Sequence, residues 1–452
     1  KSMNKLRQMS SGNVFKLLLK FSLPAIVSLL VNALYNIVDS IFVGRGVGAL
    51  GLAGVTICFP VVTTFIALIM LIGMGATVLI SIRLGENKKS EAEEIANNAL
   101  VLFIIIGLVL TVFGLIFLKK ILILFGASSS VLPYAFDYMK IILSGSVFLA
   151  IGTGMNNFIR AEGNPKTAMN TMLIGTITNI ILDYVFIFVF KWGIKGAAAA
   201  TIISYAVTSS WVLCYYLFGK STIKIRMKLL KPKKAIIRQI IRLGIPTFVI
   251  QITSSIQQLI LNRSLTRYGG DMALAIVGII MSITTFLIMP AMGIAQGAQP
   301  ILGFNKGAEQ YKRVKETLIT AACAATTIII LGYTVSRIWP AQLIGLFNKN
   351  PELIASGVYS MGIFFKFIPL VGVQMLGSSY FQAVGKAKQA TILGLSRQVL
   401  IFIPLLIILP YYKGLDGVWW SAPLSDLGAF ILTGIWLLFE ISQLNNIKGT
   451  GL

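Results

Sequence analysis

Residues 95–118 read IANNALVLFIIIGLVLTVFGLIFL, a run of 24 residues without a charged side chain. A helix needs about 20 mostly apolar residues to cross the hydrocarbon core of a bilayer, so this run predicts a membrane-spanning helix. Eleven similar runs fall near residues 17–43, 52–80, 135–158, 168–190, 196–218, 240–262, 273–302, 317–336, 354–382, 389–411 and 417–439. The sequence therefore predicts an all-α polytopic membrane protein with twelve spans.

The composition of the whole chain supports this class. Of its 452 residues, 56% are hydrophobic and 12% are charged, about half the charged fraction of a typical soluble protein. The formal charge of +24 would suggest nucleic acid on a soluble chain, but the apolar excess favours a lipid bilayer as the partner and no nucleic acid. The chain has no histidine, which excludes histidine metal sites, triads and proton relays. It also has no P-loop motif, which disfavours ATP-driven pumping, and we expect a protein that is not an enzyme.

The basic residues predict an orientation in the membrane. Residues 220–242 contain nine Lys and Arg and no acid, and they form the only sizeable polar interruption between the spans. Short loops rich in Lys and Arg stay in the cytoplasm, so this segment is either a cytoplasmic anchor or simply a solvated loop. Of the 39 Lys and Arg, 27 fall on the same side as this segment if both termini are cytoplasmic. We expect a multi-pass protein of the inner (plasma) membrane with an N-lobe at 1–219, a basic linker at 220–235 and a C-lobe at 236–452.

The two halves of the chain look like copies of each other. Four motifs recur in the same order and at a nearly constant offset along the chain. They are Phe21-Ser-Leu-Pro with Leu243-Gly-Ile-Pro, Leu84-Gly-Glu-Asn-Lys with Leu302-Gly-Phe-Asn-Lys, Arg160-Ala-Glu-Gly-Asn-Pro-Lys with Gln382-Ala-Val-Gly-Lys-Ala-Lys, and Gly193-Ile-Lys-Gly with Gly414-Leu-Asp-Gly. Six spans per copy give parallel repeats, a transporter design that an ion channel would not need.

Three segments carry a resemblance to a known family. Tyr35-Asn-Ile-Val-Asp-Ser-Ile-Phe-Val-Gly, Leu79-Ile-Ser-Ile-Arg-Leu-Gly-Glu-Asn-Lys and Ala161-Glu-Gly-Asn-Pro-Lys are similar to multidrug and toxic compound extrusion (MATE) transporters. The similarity extends from about residue 14 to residue 440. It implies two pseudo-symmetric six-helix lobes around a central cavity and export of cationic or amphipathic small molecules in exchange for H⁺ or Na⁺. We expect a monomer without a cofactor.

Three of the 15 acids remain within spans once the acids of loops and helix ends are set aside. They are Asp39, Asp183 and Asp426. A carboxylate in the bilayer costs about 2.5–3.5 kcal/mol even on the lenient insertion scale, so each needs a reason to be there. At 1.5 Å per residue, Asp39 and Asp183 lie roughly 7–12 Å below the outer surface, and Thr201 reaches a similar depth. Asn36 and Asn179 lie about one turn deeper, on the helical faces of the two acids.

Two chemical roles fit this group, and a third interpretation stays open. Burial and a neighbouring carboxylate both disfavour the charged form, so the pair can take up H⁺ from the exterior. Alternatively, Asp39, Asn179, Asp183 and Thr201 offer oxygen ligands to Na⁺. The resemblance supports this set, because it matches the N-lobe cation site of the branch that contains DNA-damage-inducible protein F. The third possibility is that the acids only hold helices together through internal hydrogen bonds.

The second half departs from the first. Its seventh, eighth and tenth spans hold no carboxylate, although the sodium-coupled branch of the resembled family typically has acids there. Glutamines replace them, and these either line the cavity or bridge helices: Gln251, Gln257, Gln296 and Gln374, with Gln258 and Gln299 beside them. Asp426 could pair with Lys366, or Lys366 could extend alone towards the interface. A flippase for lipid-linked precursors is the alternative function, with Arg263, Arg267 and Lys366 as contacts for a pyrophosphate.

Overall fold

The computed structural model describes residues 9–219, 221–226 and 229–446. Lys220 and Lys228 of the predicted linker lie outside the described residues. In the first half the helices are α1 Val14–Gly46, α2 Ala49–Gly85, α3 Lys89–Leu124, α4 Leu132–Ser144, α5 Ser146–Ala161, α6 Pro165–Tyr184 and α7 Ile194–Leu217. A π-helical turn, Val185–Val189, follows α6.

The second half repeats this series. Its helices are α8 Lys234–Gly270, α9 Met272–Gly307, α10 Tyr311–Ile338, α11 Pro340–Gly345, α12 Pro351–Phe364, α13 Val371–Ala383, α14 Ala387–Leu395, α15 Phe402–Lys413 and α16 Leu415–Asn446. A 3₁₀ turn, Ile368–Leu370, precedes α13, and a π-helical turn, Ser396–Leu400, joins α14 to α15 in one span.

The number of spans agrees with the sequence prediction. Ten helices in the described part of the chain are long and apolar enough to cross a membrane, and two bent pairs raise the number to twelve. The bent pairs are α4 with α5, at 59°, and α12 with α13, at 45°. Each pair is the fourth span of its half. The prediction of an all-α protein with twelve spans in two similar halves is confirmed.

The backbone of the loops repeats as well. Gly193 has φ 58° and ψ −134°, and Gly414 has φ 57° and ψ −134°. Positive φ also occurs at Asn87 and Glu309, which occupy corresponding places in the two halves, after the second and the eighth span. Only glycine adopts the conformation of Gly193 and Gly414 without strain, because it has no Cβ. The recurring sequence motifs therefore correspond to recurring turns.

The surface of the helices is apolar, as expected of a protein solvated by lipid. Many large apolar side chains are exposed, among them Phe59 at 65%, Ile116 at 67% and Leu124 at 83%. A soluble monomer rarely exposes contiguous apolar surface of this kind, because it would associate or aggregate in water. Lipid tails are as apolar as these side chains, so the same surface is stable in a bilayer.

The described chain divides into two compact units. The first contains residues 27–248 together with short pieces at 9–12 and 307–309, and the second contains residues 13–26, 249–306 and 310–446. The chain changes unit inside α1, just after Pro24 and Ile26, and inside α8, just after Pro246 and Phe248. Proline removes a backbone hydrogen bond and favours a kink, so both changes fall at weakened points of a helix.

The basic linker is held against the first unit by side chains of buried residues. The Asn97 Nδ2 donates to the carbonyl of Lys224 at 3.1 Å, and the amide of Arg226 donates to the Asn97 Oδ1 at 2.9 Å. The amide of Thr222 donates to the Glu162 Oε2 at 2.7 Å. These bonds satisfy backbone groups that a loop would otherwise leave to water. The linker is therefore an ordered strap where the structure describes it.

Candidate ion-coupling site

Two carboxyl groups meet within the first unit, near the C-terminal ends of α1 and α6. Asp39 is 8% exposed and Asp183 is completely buried. Their side chains lie close enough to each other for a hydrogen bond between the two carboxyl groups. A hydrogen bond between two carboxyl groups requires a proton on one of them, because ionised carboxylates only accept. The sequence predicts that the two acids lie at a similar depth. The structure adds that they are neighbours, which the sequence alone could not show.

An asparagine and a threonine complete the surroundings of Asp183. In the orientation of the Asn179 amide that satisfies both neighbours, its nitrogen donates to the Asp183 Oδ2 at 2.7 Å. Its oxygen then accepts from the backbone amide of Thr201 at 3.2 Å. The Thr201 hydroxyl donates to the carbonyl of Ala197 at 3.0 Å. Asn179 is 1% and Thr201 2% exposed, so α6 and α7 are joined through a buried polar network.

Each acid keeps one buried oxygen without a partner. The Oδ1 atoms of Asp39 and Asp183 accept no hydrogen bond from the described residues. Buried acceptors without a partner are unusual and costly, so they mark a place where a proton or a ligand can bind. Three tyrosines lie close enough to interact electrostatically with Asp39, and the sequence analysis did not single them out: Tyr35, Tyr138 and Tyr205.

Asn36 is not brought into this network. Its side chain is exposed, and its Nδ2 donates to the carbonyl and side-chain oxygens of Asn32 at 3.0 and 3.1 Å. Among the described residues it makes no hydrogen bond to either carboxyl group. Asn36 and Asp39 are three residues apart and share a helical face, but the Asn36 amide bonds within its own helix, so its role in ion coupling stays a prediction.

The same geometry tests whether the predicted ligands fit Na⁺. No group of three or more His, Cys, Asp or Glu side chains in the described residues could hold a metal ion. Of the four predicted oxygen ligands, the Asn179 oxygen is already used by the Thr201 amide, and the amide nitrogen faces Asp183. An amide oxygen has two lone pairs, so the site still offers Na⁺ two carboxyl groups, the Asn179 oxygen and the Thr201 hydroxyl. A proton needs only the two carboxyl groups.

The predicted cavity glutamines of the second unit divide into two kinds. Gln374 is 5% exposed and its Nε2 donates to the carbonyl of Leu393 at 3.0 Å, so it bridges α13 and α14. Gln251, Gln257 and Gln296 are half-buried. The alternative that glutamines bridge helices therefore applies to Gln374, and the other three stay candidates for the cavity.

The third intramembrane acid has a different partner from the one that the sequence analysis considered. The Arg397 Nε lies 2.6 Å from the Asp426 Oδ1, and the Lys366 Nζ lies 4.5 Å from the centre of the Trp420 ring. Lys366 therefore makes a cation–π contact instead of an ion pair. Sequence reasoning missed Arg397, although a basic residue far from both ends of a span was a usable signal.

The two repeats of six spans define a class of protein, a membrane transporter built from parallel repeats. Residues 24–185 and 246–408 each match the family model MatE. The chain belongs to this family, the multidrug and toxic compound extrusion transporters. The predicted family, and the prediction of a transporter rather than an enzyme, are confirmed.

Named relatives and solved structures agree with this assignment. The multidrug export protein MepA of Staphylococcus haemolyticus (strain JCSC1435) is 27% identical over 415 residues, which cover 92% of this chain and 91% of the relative. A MOP superfamily transporter from Pyrococcus furiosus is 28% identical, with a TM-score of 0.90 over 97% of this chain and 98% of the other. A MATE crystal structure in the bent conformation is 27% identical, with a TM-score of 0.93 over 100% and 99%.

Proposed function

We propose that the protein is a secondary active antiporter that exports cationic and amphipathic small molecules, including drugs and toxins, in exchange for H⁺ by alternating access. The similarity to MepA, a multidrug export protein, supports the substrate class. Parallel six-span repeats support alternating access, since other transporters with such repeats rock one half against the other. The protein acts as a monomer in the inner (plasma) membrane, with both termini in the cytoplasm, no nucleic-acid partner and no cofactor.

The observation that carries the proposal is the close approach of the buried Asp39 and Asp183 side chains. The pair holds one proton at low cost and resists full ionisation, because two carboxylates in contact repel each other. Each unit of pH difference across the membrane supplies about 1.4 kcal/mol per proton, which corresponds to a tenfold substrate gradient. A single exchangeable proton is thus sufficient for useful export.

The cycle follows from the charge of the site. A proton from the exterior binds to the carboxyl pair and favours the inward-facing state, and substrate binding from the cytoplasm drives the return. Na⁺ is the alternative coupling ion. It would use the same carboxyl pair with Asn179 and Thr201, whereas a proton needs only the two carboxyl groups.

Reconstituted protein distinguishes the two ions. Proteoliposomes loaded with a fluorescent organic cation are given either a pH gradient or a Na⁺ gradient, each with the membrane potential clamped. We expect the pH gradient alone to drive efflux and the Na⁺ gradient alone to drive none. Efflux driven only by the Na⁺ gradient would show that Na⁺ and not H⁺ is the coupling ion. Efflux driven by neither gradient would contradict antiport.

A further inference from the structure

The ion pair in the second unit lies deep in the membrane-spanning part of the chain. Arg397 is ten residues from the start of the span Ala387–Lys413, and Asp426 is eleven residues from the start of Leu415–Gln443. At 1.5 Å per residue both lie about 15 Å from those helix ends, which places them within the hydrocarbon core. Charges at this depth are expensive and require a partner or contact with water.

Arg397 does not reach the membrane surface by extending its side chain. Its Nε donates to the Asp426 Oδ1 at 2.6 Å, and its own carbonyl accepts from the Ser425 hydroxyl. The first bond fixes the guanidinium and the second fixes the backbone against α16, so the arginine stays at the depth of its partner. The Nη groups of Arg397 make no hydrogen bond to the described residues.

The two members of the pair differ in exposure. The side chain of Asp426 is 6% exposed, whereas that of Arg397 is 29% exposed. Guanidinium nitrogens without partners would be too costly against lipid tails, so an exposed guanidinium at this depth is stable only where it faces water. Arg397 also lies in the π-helical turn Ser396–Leu400, and such turns occur frequently at functional sites.

We propose that Arg397 is a substrate-binding residue, which binds a carboxylate or a comparable anionic group of the substrate through its Nη groups. The inference rests on the proposed function and specifies its substrate class: zwitterionic amphipathic compounds that carry an anionic group beside their cation. Two parallel N–H groups suit the two oxygens of a carboxylate, and charge-assisted bonds of this kind are strong. Asp426 is a positioning residue that fixes the guanidinium.

The ion pair also explains why a cationic substrate is tolerated beside an arginine. Asp426 balances the charge of Arg397, so the pair as a whole repels a cation little. The Nη hydrogens that remain still provide direction and affinity for an anionic group. The site therefore favours the anionic group without excluding the cation.

Two dyes that differ only in this group provide the test. Rhodamine 123 is the methyl ester of rhodamine 110, which has a free carboxylate. Dissociation constants for both dyes are measured by fluorescence anisotropy for the purified wild type, for Arg397→Gln combined with Asp426→Asn, and for Lys366→Gln as a control. The double variant removes both charges together, which avoids leaving a buried charge without its partner.

We expect the preference of the wild type for the acid over the ester to fall about tenfold in the double variant, since one charge-assisted interaction is lost. Lys366→Gln should keep the wild-type ratio, because Lys366 lies on Trp420. An unchanged ratio in the double variant, or no binding of the acid to the wild type, would overturn the inference. Failure of the wild type to export rhodamine 123 under a pH gradient would instead count against the proposed function.

A second measurement does not depend on dye binding. In protein whose Cys58, Cys214 and Cys323 are replaced by Ser, Arg397→Cys combined with Asp426→Asn is treated with a charged thiol reagent. We expect rapid modification, since position 397 faces water. Ile407→Cys, at a position that is 65% exposed on an apolar helix, should resist the reagent because it faces lipid. Equal resistance at position 397 would overturn the inference.

Discussion

At the scale of single residues, function in this protein depends on a few polar side chains in an apolar setting. Asp39 and Asp183 lie within hydrogen-bonding reach of each other, and Asn179 presents its amide nitrogen to Asp183. Each carboxyl group would be destabilising alone, and together they form a site that favours one bound proton. Arg397 and Asp426 are stabilised in the membrane in another way, since their opposite charges neutralise each other without a proton.

Replacing Asp39 by Asn should abolish pH-driven efflux and leave the fold intact. The amide has the size of the carboxyl group and can still bond to Asp183, but it does not take up or release a proton near neutral pH. Efflux from proteoliposomes and the thermal unfolding midpoint measure the two effects.

Asp137→Asn serves as the matched control for this substitution. Asp137 is a 41% exposed acid that pairs with Lys195 at 3.3 Å, and surface pairs of this kind contribute about 0–1 kcal/mol. Asp137→Asn should keep the efflux rate and the thermal unfolding midpoint of the wild type. Unchanged transport in Asp39→Asn would show that Asp39 does not couple the ion.

The sequence predicted the position of the acids better than their contacts. Depth follows from counting residues along a helix, which is why Asp39 and Asp183 could be placed at one level. Contact depends on how neighbouring helices are rotated about their axes. This rotation cannot be read from a single sequence without aligned relatives. For this reason Asn36 was expected in the network and is absent from it, and Arg397 was missed as the partner of Asp426.

At the scale of helices and loops, the repeat determines the structure. The fourth span of each half is bent, and the turn before the sixth span has the same backbone conformation at Gly193 and Gly414. Hydropathy and length sufficed to predict the spans, because a bilayer imposes both. Proline favours a kink at Pro369, next to the bend of the second pair, whereas no proline marks the bend of the first pair, which depends on local packing.

Gly193→Ala should lower the free energy of unfolding by about 1–3 kcal/mol, the usual cost of a non-glycine residue in a disallowed backbone region. A Cβ at this position would meet no atom within 4 Å, so the cost is conformational and not steric. Gly414→Ala should behave alike. Thermal or denaturant unfolding of the purified protein provides the measurement.

Gly278→Ala controls for the loss of a glycine as such. Gly278 lies within α9 at an ordinary helical φ, is exposed, and has open space where a Cβ would be placed. Alanine has a higher helix propensity than glycine, so the free energy of unfolding of Gly278→Ala should equal that of the wild type or be slightly higher. Equal losses at positions 193 and 278 would contradict the conformational explanation.

The strap between the two halves of the chain leads to a prediction about its own stability. Asn97→Ala removes two of the three hydrogen bonds that hold the backbone at Lys224 and Arg226 among the described residues, so the strap should open more often. Because its Lys and Arg are trypsin sites, limited digestion in detergent should cut the variant there several times faster than the wild type.

Asn157→Ala is the control for the strap variant. The Asn157 amide bonds only to Thr153 of its own helix among the described residues, at a long 3.4 Å. Its digestion rate should match that of the wild type. Equal rates for Asn97→Ala and the wild type would mean that other contacts are sufficient to hold the strap.

At the scale of the whole molecule, the charge distribution predicts one orientation and the repeat predicts two lobes. The division into lobes at 219 and 236 and the cytoplasmic termini stay predictions. They are consistent with a chain whose basic strap lies on one side of the first unit, while Asp39 and Asp183 lie near the opposite ends of their helices. The positive-inside rule makes the strap side cytoplasmic.

Single cysteines test this orientation in intact cells. In the background without native cysteines, we expect a membrane-impermeant thiol reagent to label Lys349→Cys from outside and not to label Lys234→Cys. Both side chains are exposed, so access depends on the side of the membrane. Permeabilised cells should show labelling at both positions, and the reverse pattern in intact cells would invert the topology.

The central claim, that the Asp39–Asp183 pair exchanges its proton for substrate, has a direct measurement. A saturating organic cation is added to purified protein in weakly buffered detergent solution, and the released protons are counted with a pH dye. We predict release of about one proton per wild-type molecule, as expected of two carboxyl groups that share one proton. Asp137→Asn should give the same release, and Asp39→Asn should give none. Substrate binding without proton release in the wild type, or undiminished release in Asp39→Asn, would contradict the account.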